Sequence, residues 1–310
     1  MAVLPFRPAK SDANGPRPGT IAQGYSIEMM PRTAAKIADF RALLPPATRI
    51  YIAHLDGTPL AEMLDCAKRL TGEGFAVMPH LPARIIPDRA TLDLWLNRYA
   101  TEAGVTQALV LAGGPKTPTG DFDNSMQLLE TGLFDRHGFT RLHVAGHPEG
   151  NRDIDPDGST RLVDEAARWK QDFANRTGAA MAMTTQFAFD AGPVLDWADR
   201  LADAGVALPV HVGVSGPAKL QTLIKFAIAC GVGPSLSVLQ KRARDLSRLL
   251  LPFTPDDVLS DLATGMAAGR GRNIAGIHIF PLGGIATAAT YANTLNETAA
   301  LQGGLGGGVA

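Results

Sequence analysis

The sequence predicts an α/β fold, a (β/α)8 barrel of the TIM type that forms one domain with extra helices before its last strand. Eight short runs rich in β-branched or aliphatic residues follow one another along the 310 residues. Segments with helical periodicity lie between these runs, so consecutive strands have to pair in parallel through crossover helices. Eight parallel strands close into a barrel filled by its own side chains. An open doubly wound sheet is the alternative, but no GxGxxG motif follows the first run.

The predicted strands mostly recur at the spacing of one strand and one helix. They cover residues 21–29, 49–54, 75–81, 107–113, 141–146, 181–187, 208–214 and 273–280. In one intervening helix, Asp88 is the predicted N-cap and Gly104 ends the helix. Its apolar positions recur at helical spacing and are Leu92, Trp95, Leu96, Tyr99 and Ala103. The long interval before the last strand contains helix candidates at 217–230, 234–249 and 254–269.

Three segments are predicted along the chain. Residues 1–20 form an N-terminal arm, because they lack an apolar signal core and are interrupted by four prolines. Residues 21–301 form the catalytic barrel, since no internal linker is rich enough in Pro, Gly or Ser to divide it. Residues 302–310 form a glycine-rich tail that is expected to fray.

Composition and charge narrow the class of partner. Hydrophobic residues make up 45% and charged residues 19%, which is typical of a globular chain. The formal net charge of −1 disfavours nucleic acid as a partner, and no uninterrupted apolar span predicts a membrane segment. Cys66 and Cys230 stand alone without CxxC spacing, so we expect no disulfide, no metal site and a cytoplasmic location. The expected partner is a small molecule.

A basic run lies in the long interval before the last strand. It consists of Lys241, Arg242, Arg244 and Arg248. The simplest interpretation is the solvated face of a helix. A patch for an anionic tail is the alternative.

The end of the first strand carries the strongest candidate for catalysis. Active sites of barrels lie at the C-terminal ends of the strands, and Glu28 lies there within an apolar stretch. A carboxylate in such surroundings loses hydration, which raises its pKa and suits it to act as a general acid. A structural ion pair with Arg32 is an equally good interpretation from local sequence alone.

Other strand ends also carry candidate residues. His80 ends the third strand, although a lone histidine is more often structural. Gly113 and Gly114 allow a phosphate or a flat ring to approach the backbone, although turns explain most such pairs. Gln186 can offer a donor and an acceptor to a heterocycle, or can be a satisfied amide of the barrel core.

Four motifs in order along the chain resemble those of the methylenetetrahydrofolate reductase family. They are Ser-Ile-Glu-Met-Met-Pro at 26–31, Pro-His-Leu at 79–81, Val-Ala-Gly-His-Pro-Glu-Gly at 144–150 and Thr-Gln-Phe-Ala-Phe-Asp at 185–190. The resemblance extends from about residue 24 to residue 293. That family is a (β/α)8 barrel that reduces 5,10-methylenetetrahydrofolate to 5-methyltetrahydrofolate, with FAD carrying a hydride from a nicotinamide.

The resemblance implies roles for individual residues. Glu28 matches the acid that protonates the folate so that its five-membered ring opens to an iminium. Gln186 matches a glutamine that contacts the pterin, and Phe280 matches an aromatic residue that stacks against the folate. The positions that match the flavin site are His80, Gly113, Gly114, Ala145, His147, Asn151 and Lys170.

The departures from the family pattern are concentrated on the flavin side. The Leu-Arg-Gly-Asp motif of strand four is Leu111-Ala112-Gly113-Gly114 here, so its arginine and aspartate are missing. The tyrosine and the histidine of the strand-five motif are His147 and Asn151, and a threonine at the end of strand two is Ala53. Leu282-Gly283-Gly284 replaces a Leu-Asn-Arg sequence, and Lys170 is the nearest candidate for a phosphate contact.

We therefore expect a divergent family member, an oxidoreductase that interconverts 5,10-methylenetetrahydrofolate and 5-methyltetrahydrofolate. NADH or NADPH is the expected electron donor, with FAD bound weakly or bypassed by direct hydride transfer. One alternative is a folate- or flavin-binding subunit without reductase activity, which would need a partner to supply electrons. Another is a barrel enzyme that acts on a different pterin carrier of one-carbon units. Homo-oligomerisation and the physiological direction stay open.

Overall fold

The computed structural model of the chain describes residues 18–230, 239–240 and 252–303. Eight parallel strands form a closed barrel in the order of the sequence, which confirms the predicted fold. They are β1 (Ser26–Met29), β2 (Arg49–Ile52), β3 (Ala76–Pro82), β4 (Gln107–Leu111), β5 (Arg141–Gly146), β6 (Ala180–Phe187), β7 (Val210–Ser215) and β8 (Ile274–Phe280). Strand β1 pairs with β8 and closes the barrel, with Ser26 opposite His278.

Helices surround the barrel. They are α1 (Pro18–Ala22), α2 (Pro31–Ala34), α3 (Leu60–Gly72), α4 (Arg89–Ala103), α5 (Ser125–Glu130), α6 (Leu133–Arg136), α7 (Arg161–Thr177), α8 (Ala191–Asp203), α9 (Leu220–Ala229), α10 (Asp256–Ala267) and α11 (Ile285–Gly303). A short 3-10 helix, Ala83–Ile85, follows β3. In the described part of the chain, no helix combines the length and the apolar character needed to cross a membrane.

The interval between β7 and β8 contains two described helices, α9 and α10, which confirms the expected elaboration. The third candidate, 234–249, lies outside the described residues except for 239–240. The four basic residues of that interval also lie outside the described ranges. They are Lys241, Arg242, Arg244 and Arg248.

The start of the first strand differs from the prediction. Ile21 and Ala22 belong to α1, and the strand begins only at Ser26. A short apolar run does not distinguish a strand from a buried helical turn, and Pro18 opens this helix where proline is favoured. Ile21 and Ala22 are buried in the main hydrophobic core.

Helix α4 agrees with its prediction in detail. The Asp88 carboxylate accepts a hydrogen bond of 2.7 Å from the backbone N–H of Thr91, as an N-cap does. Gly104 ends the helix with φ of 62°, in the left-handed region. Leu92, Leu96 and Tyr99 are completely buried, so the predicted apolar face is the one that packs on the barrel.

Successive side chains of a barrel strand point alternately outward, beneath the helices, and inward, into the barrel. In β8, Ile277 and Ile279 point outward into the main hydrophobic core beneath the helices. His278, between them, points into the barrel, where it hydrogen-bonds Ser26 of β1. The barrel interior holds four of the seven histidines of the chain, at positions 80, 143, 211 and 278. Bulky aliphatic residues usually fill this space, so the interior is unusually polar.

Candidate active site

Glu28 lies between two imidazole rings at the C-terminal mouth of the barrel. Its Oε2 atom is 3.5 Å from Nε2 of His80 and 3.6 Å from Nε2 of His278. Closure of the barrel brings β8 beside β1, and β3 follows two strands away on the other side. The Glu28 side chain is 21% exposed. It is therefore enclosed by the protein but accessible to a ligand at the mouth.

The alternative interpretation of Glu28, a structural ion pair with Arg32, is wrong. The side chain of Arg32 is 82% exposed, and its Nε atom lies 4.0 Å from the carboxylate of Glu62 on α3. Glu28 contacts His80 and His278 instead. Local sequence suggested the near neighbour, but Glu28 lies on β1 whereas Arg32 belongs to α2, and their side chains point to different partners.

Burial shifts the pKa values of Glu28, His80 and His278. Loss of hydration raises the pKa of Glu28, and the neighbouring His80 opposes that rise in part. Burial lowers the pKa of His80 to about 4 and that of His278 to about 3. The two imidazoles are therefore neutral near pH 7, and burial shifts Glu28 toward its protonated form. The arrangement is suited to a general acid.

Polar side chains continue from His278 into the barrel. Nδ1 of His278 is 2.9 Å from Oγ of Ser26. The Tyr51 ring lies 4.3 Å from the His278 ring, and its hydroxyl is 2.5 Å from Nδ1 of His143. The same hydroxyl is 3.1 Å from Oγ1 of Thr184. Side chains from five strands thus form one buried network below Glu28.

Sequence reasoning missed this network. Ser26 stands in the first motif without a role of its own, and no motif contains Tyr51, His143 or His278. A usable signal was present in β8, where Gly276, His278 and Phe280 alternate with two isoleucines. That alternation places the histidine on the inner face of the strand.

Gln186 lies at the mouth because the sheet is irregular beside it. The register between β6 and β7 shifts between Thr184 and Phe187. Gly213 permits this shift, since a Cβ atom there would lie 2.5 Å from the carbonyl oxygens of Thr185 and Gln186. The Gln186 side chain is exposed, and its Oε1 accepts a 3.2 Å hydrogen bond from the N–H of Phe187. Bulges of this kind often redirect a side chain beside an active site.

Phe280 lies between the acid site around Glu28 and a hydrophobic cluster of aromatic residues. Its ring meets the His278 ring edge-on, with centroids 4.8 Å apart, and lies 5.4 Å from the Phe187 ring. Phe187 and Phe280 belong to a hydrophobic cluster with Phe189 and Phe253. The structure therefore brings Glu28, Phe280 and the neighbour of Gln186 to one side of the mouth.

The glycines predicted to approach a flavin have different surroundings. Gly113 has φ of 99°, and a Cβ atom there would lie 2.9 Å from Cβ of Pro82. The turn itself therefore requires this glycine. Gly114 lines a cleft of about 210 Å³ together with His54 and Leu55. Of the two, Gly114 borders space that a ligand can enter.

Lys170, the nearest candidate for a phosphate contact, and two other positions that match the flavin site make interactions within the chain. Nζ of Lys170, from α7, is buried and donates a 3.1 Å hydrogen bond to the carbonyl of Ala145. Burial lowers the pKa of Lys170 to about 8, and burial with the nearby ammonium lowers the pKa of His147 to about 4. The Asn151 side chain accepts from the N–H of Asp153 at 2.9 Å. The buried ammonium of Lys170 thus makes its described hydrogen bond within the chain.

The side chains of the acid site do not form a metal centre. In the ranges that the structure describes, no group of three or more His, Cys, Asp or Glu side chains is arranged to hold a metal ion. The chemistry that Glu28, His80 and His278 themselves offer is the transfer of protons.

No protein-family model matches the sequence. Among solved structures, the chain is similar to an uncharacterized protein from Clostridium thermocellum that binds two copies of 5-methyl-5,6,7,8-tetrahydrofolic acid. The TM-score is 0.56 at 10% identity, and the match covers 90% of this chain and 98% of that chain. A likeness at this identity shows a shared fold.

Two further matches are to the carboxyl transferase domain of Rhizobium etli pyruvate carboxylase, with oxalate and with 3-bromopyruvate. Their TM-scores are 0.39 and 0.38, at 9% and 10% identity. They cover 97% and 96% of this chain and 59% of that chain in both cases. Similarity at this level carries no argument about function.

Proposed function

We propose that this chain is an oxidoreductase that interconverts 5,10-methylenetetrahydrofolate and 5-methyltetrahydrofolate, with Glu28 as the general acid. The observation that carries the proposal is the position of Glu28 between His80 and His278 at the barrel mouth. Burial raises the pKa of Glu28, which is the direction that a general acid requires. The four sequence motifs suggest the folate substrate, and the barrel from Clostridium thermocellum, which binds 5-methyltetrahydrofolate, supports that substrate class.

The proposed reaction balances with one proton and one hydride. The carboxylic acid of Glu28 donates its proton to N10 of the substrate as the bond from N10 to the methylene carbon breaks. The carbon is then held on N5 as an iminium. A hydride from NADH or NADPH adds to that carbon and forms the methyl group, leaving the oxidised nicotinamide. Oxidation of the methyl compound is the reverse sequence, in which Glu28 receives the proton.

The residues around Glu28 suggest how the substrate is held. The exposed amide of Gln186 offers a donor and an acceptor to the edge of the pterin. The ring of Phe280, beside His278, offers an apolar surface close to the acid. Both residues lie on the β6–β8 side of the mouth, which leaves the β2–β4 side, with the Gly114 cleft, for the electron donor.

The test is an assay of the purified chain with methylenetetrahydrofolate and either NADH or NADPH, with and without FAD. We expect substrate-dependent loss of the reduced nicotinamide and formation of 5-methyltetrahydrofolate, identified by mass spectrometry. An absorbance spectrum before and after addition of FAD shows separately whether a flavin binds. Absence of turnover with both donors, with and without FAD, would refute the proposal.

A folate-binding protein without reductase activity is the second candidate. The absence of the strand-four aspartate, where the sequence has Gly113-Gly114, favours it. Calorimetric titration with 5-methyltetrahydrofolate, combined with the turnover assay, distinguishes the two. A binder without activity gives heat of binding but no turnover, whereas the enzyme gives both. A barrel enzyme for another pterin carrier would show neither with this folate.

A further inference from the structure

The Gly114 cleft lies between the chain segments that follow strands β2, β3 and β4. Its walls include His54 and Leu55 from the β2 side, Pro82 and Ile85 from the β3 side, and Gly114 and Pro115 from the β4 side. Pockets that enclose a whole drug-sized ligand measure roughly 300–1,000 Å³. The cleft, at about 210 Å³, is smaller and has the size for one ring at the end of a longer ligand.

Arg84 joins two of these segments. It stands beside Ile85 in the 3-10 helix after β3, and its side chain reaches the loop after β4. Nη1 donates a 3.1 Å hydrogen bond to the carbonyl of Pro115. The Nε–H is shared between the carbonyl and the carboxylate of Asp123, each 2.9 Å away. One guanidinium group thus holds the loop both at Pro115, which lines the cleft, and at Asp123, directly before α5.

The contacts of Arg84 with backbone carbonyls matter more than its ion pair. The Arg84 side chain is 17% exposed, whereas that of Asp123 is 56% exposed. Water therefore screens the carboxylate contact, which contributes little. The hydrogen bonds from the guanidinium to the two carbonyls are charge-assisted and come from a largely buried side chain. The Arg84 backbone also donates to the carbonyl of Ala112 and accepts from the N–H of Thr119, both at 2.9 Å. A change of the side chain leaves these two bonds in place.

We propose that Arg84 is a positioning residue that holds Pro115 in place and so keeps the Gly114 cleft in the shape that binds the reduced nicotinamide. A wall that is ordered before the ligand arrives does not have to be ordered on binding, so the affinity is higher. Arg84 acts through Pro115 and Ile85, which line the cleft on either side of it. The inference rests on the proposed function, because that proposal assigns the cleft to the electron donor.

The first test is a titration of the purified full chain with NADH or NADPH, without folate, followed by tryptophan fluorescence. Trp95 stacks on His54 of the cleft with ring centroids 5.0 Å apart, so a dihydronicotinamide ring in the cleft should quench its emission. Trp95→Phe identifies the part of the quenching that comes from this site. We expect Arg84→Met to raise the Kd of the donor about tenfold. Arg98→Met is the matched control, because Arg98 pairs with Glu102 on α4.

The control should keep the wild-type Kd. An unchanged Kd in a folded Arg84→Met protein would overturn the proposal. So would a wild-type chain that binds neither NADH nor NADPH.

Two further variants separate the carbonyl contacts from the ion pair. Asp123→Ala keeps the carbonyl that accepts from Nε–H, so its Kd should stay within about twofold of the wild type. Arg84→Lys keeps the charge but lacks the planar fork that reaches both carbonyls, so its Kd should rise. This variant also keeps a long stem, which provides a folded protein if Arg84→Met does not fold. A wild-type Kd in Arg84→Lys, or a Kd in Asp123→Ala as high as in Arg84→Met, would overturn the assignment.

The position of the loop is measured without any ligand by trypsin cleavage after Lys116, which follows Pro115 and is exposed. We expect Arg84→Met to speed this cleavage relative to cleavage at other exposed sites, because a released loop opens more often. Mass spectrometry identifies the fragment that ends at Lys116. An equal relative rate in the wild type and in Arg84→Met would show that the side chain does not hold the loop.

Turnover separates this inference from the proposed function. In an active enzyme, Arg84→Met should raise the KM for the donor and leave kcat and the KM for folate near their wild-type values. A merely structural role would reduce the amount of folded protein without changing the KM of the folded fraction. If donor binding depends on Arg84 as expected but no turnover occurs, the proposed function fails and this inference stands. If turnover occurs and Arg84→Met leaves the KM for the donor unchanged, this inference fails alone.

Discussion

Glu28 and His278 face each other across the seam where the barrel closes, with Oε2 of the carboxyl 3.6 Å from Nε2 of the imidazole. The seam is the pairing of β1 with β8, which also places Ser26 beside His278 although they are 252 positions apart in the sequence. Because the first and last strands each contribute a side chain, the acid site is complete only when the whole barrel has formed.

Glu28→Gln should abolish most turnover and leave folate binding nearly unchanged. The amide has nearly the same shape but has no acidic proton to transfer, and positioned acids contribute roughly 10²- to 10⁴-fold to a rate. Steady-state rates and the Kd for 5-methyltetrahydrofolate, measured on the same preparation, test this. Glu62→Gln on α3 is the matched control, because Glu62 is 44% exposed and pairs loosely with Arg32. An unchanged rate in Glu28→Gln would remove the acid assignment.

The sequence was sufficient to predict Glu28 as a candidate but not its partners. An acidic residue in an apolar run at a strand end is visible locally, whereas its contact with His278 depends on barrel closure. The pairing with Arg32 was wrong for the same reason, since nearness in sequence does not give the direction of a side chain on a strand. The fold was predictable because each strand carries its own aliphatic signal. The first strand was predicted to start too early because Ile21 and Ala22 are apolar in a helix as well.

Gln186→Ala should weaken folate binding without weakening the fold. The side chain is exposed, and its described hydrogen bond joins it only to the adjacent N–H of Phe187. Loss of two hydrogen bonds to a pterin edge would raise the Kd by about tenfold. Calorimetric titration measures the Kd, and urea unfolding checks that the free energy of unfolding is unchanged. An unaltered Kd would separate Gln186 from the substrate.

The stability of the chain should fall in mild acid. An unfolded histidine has a pKa of about 6.5, whereas burial lowers the pKa to about 4 for His211 and about 3 for His278. Between these values the unfolded chain binds more protons, so the free energy of unfolding decreases as the pH drops below about 6.5. The effect is complete near the folded values and amounts to about 3 kcal/mol for one such group. The raised pKa of Glu28 acts with the opposite sign and offsets part of the loss.

Urea unfolding at several pH values between about 7.5 and 4.5 measures this dependence. His211→Gln, at a ring that stacks on His143 below the acid site, should reduce the slope of stability against pH by about one proton. Its stability above pH 7 should change less than its stability in acid. A wild-type protein with equal stability across this range would contradict the burial of neutral histidines.

Gly213→Ala should destabilise the fold and weaken folate binding together. Its Cβ atom would lie 2.5 Å from two backbone carbonyl oxygens, those of Thr185 and Gln186, and backbone atoms cannot move aside as a flexible side chain can. The irregular β6–β7 pairing would have to shift, at a cost of about 1–3 kcal/mol. The Gln186 amide would move with it. Gly72→Ala at the end of α3 is the control, because a Cβ there meets nothing within 4 Å and alanine favours a helix. Urea unfolding and folate titration of both variants test the argument, and a Gly213→Ala protein as stable as the control would show that the irregularity does not depend on the glycine.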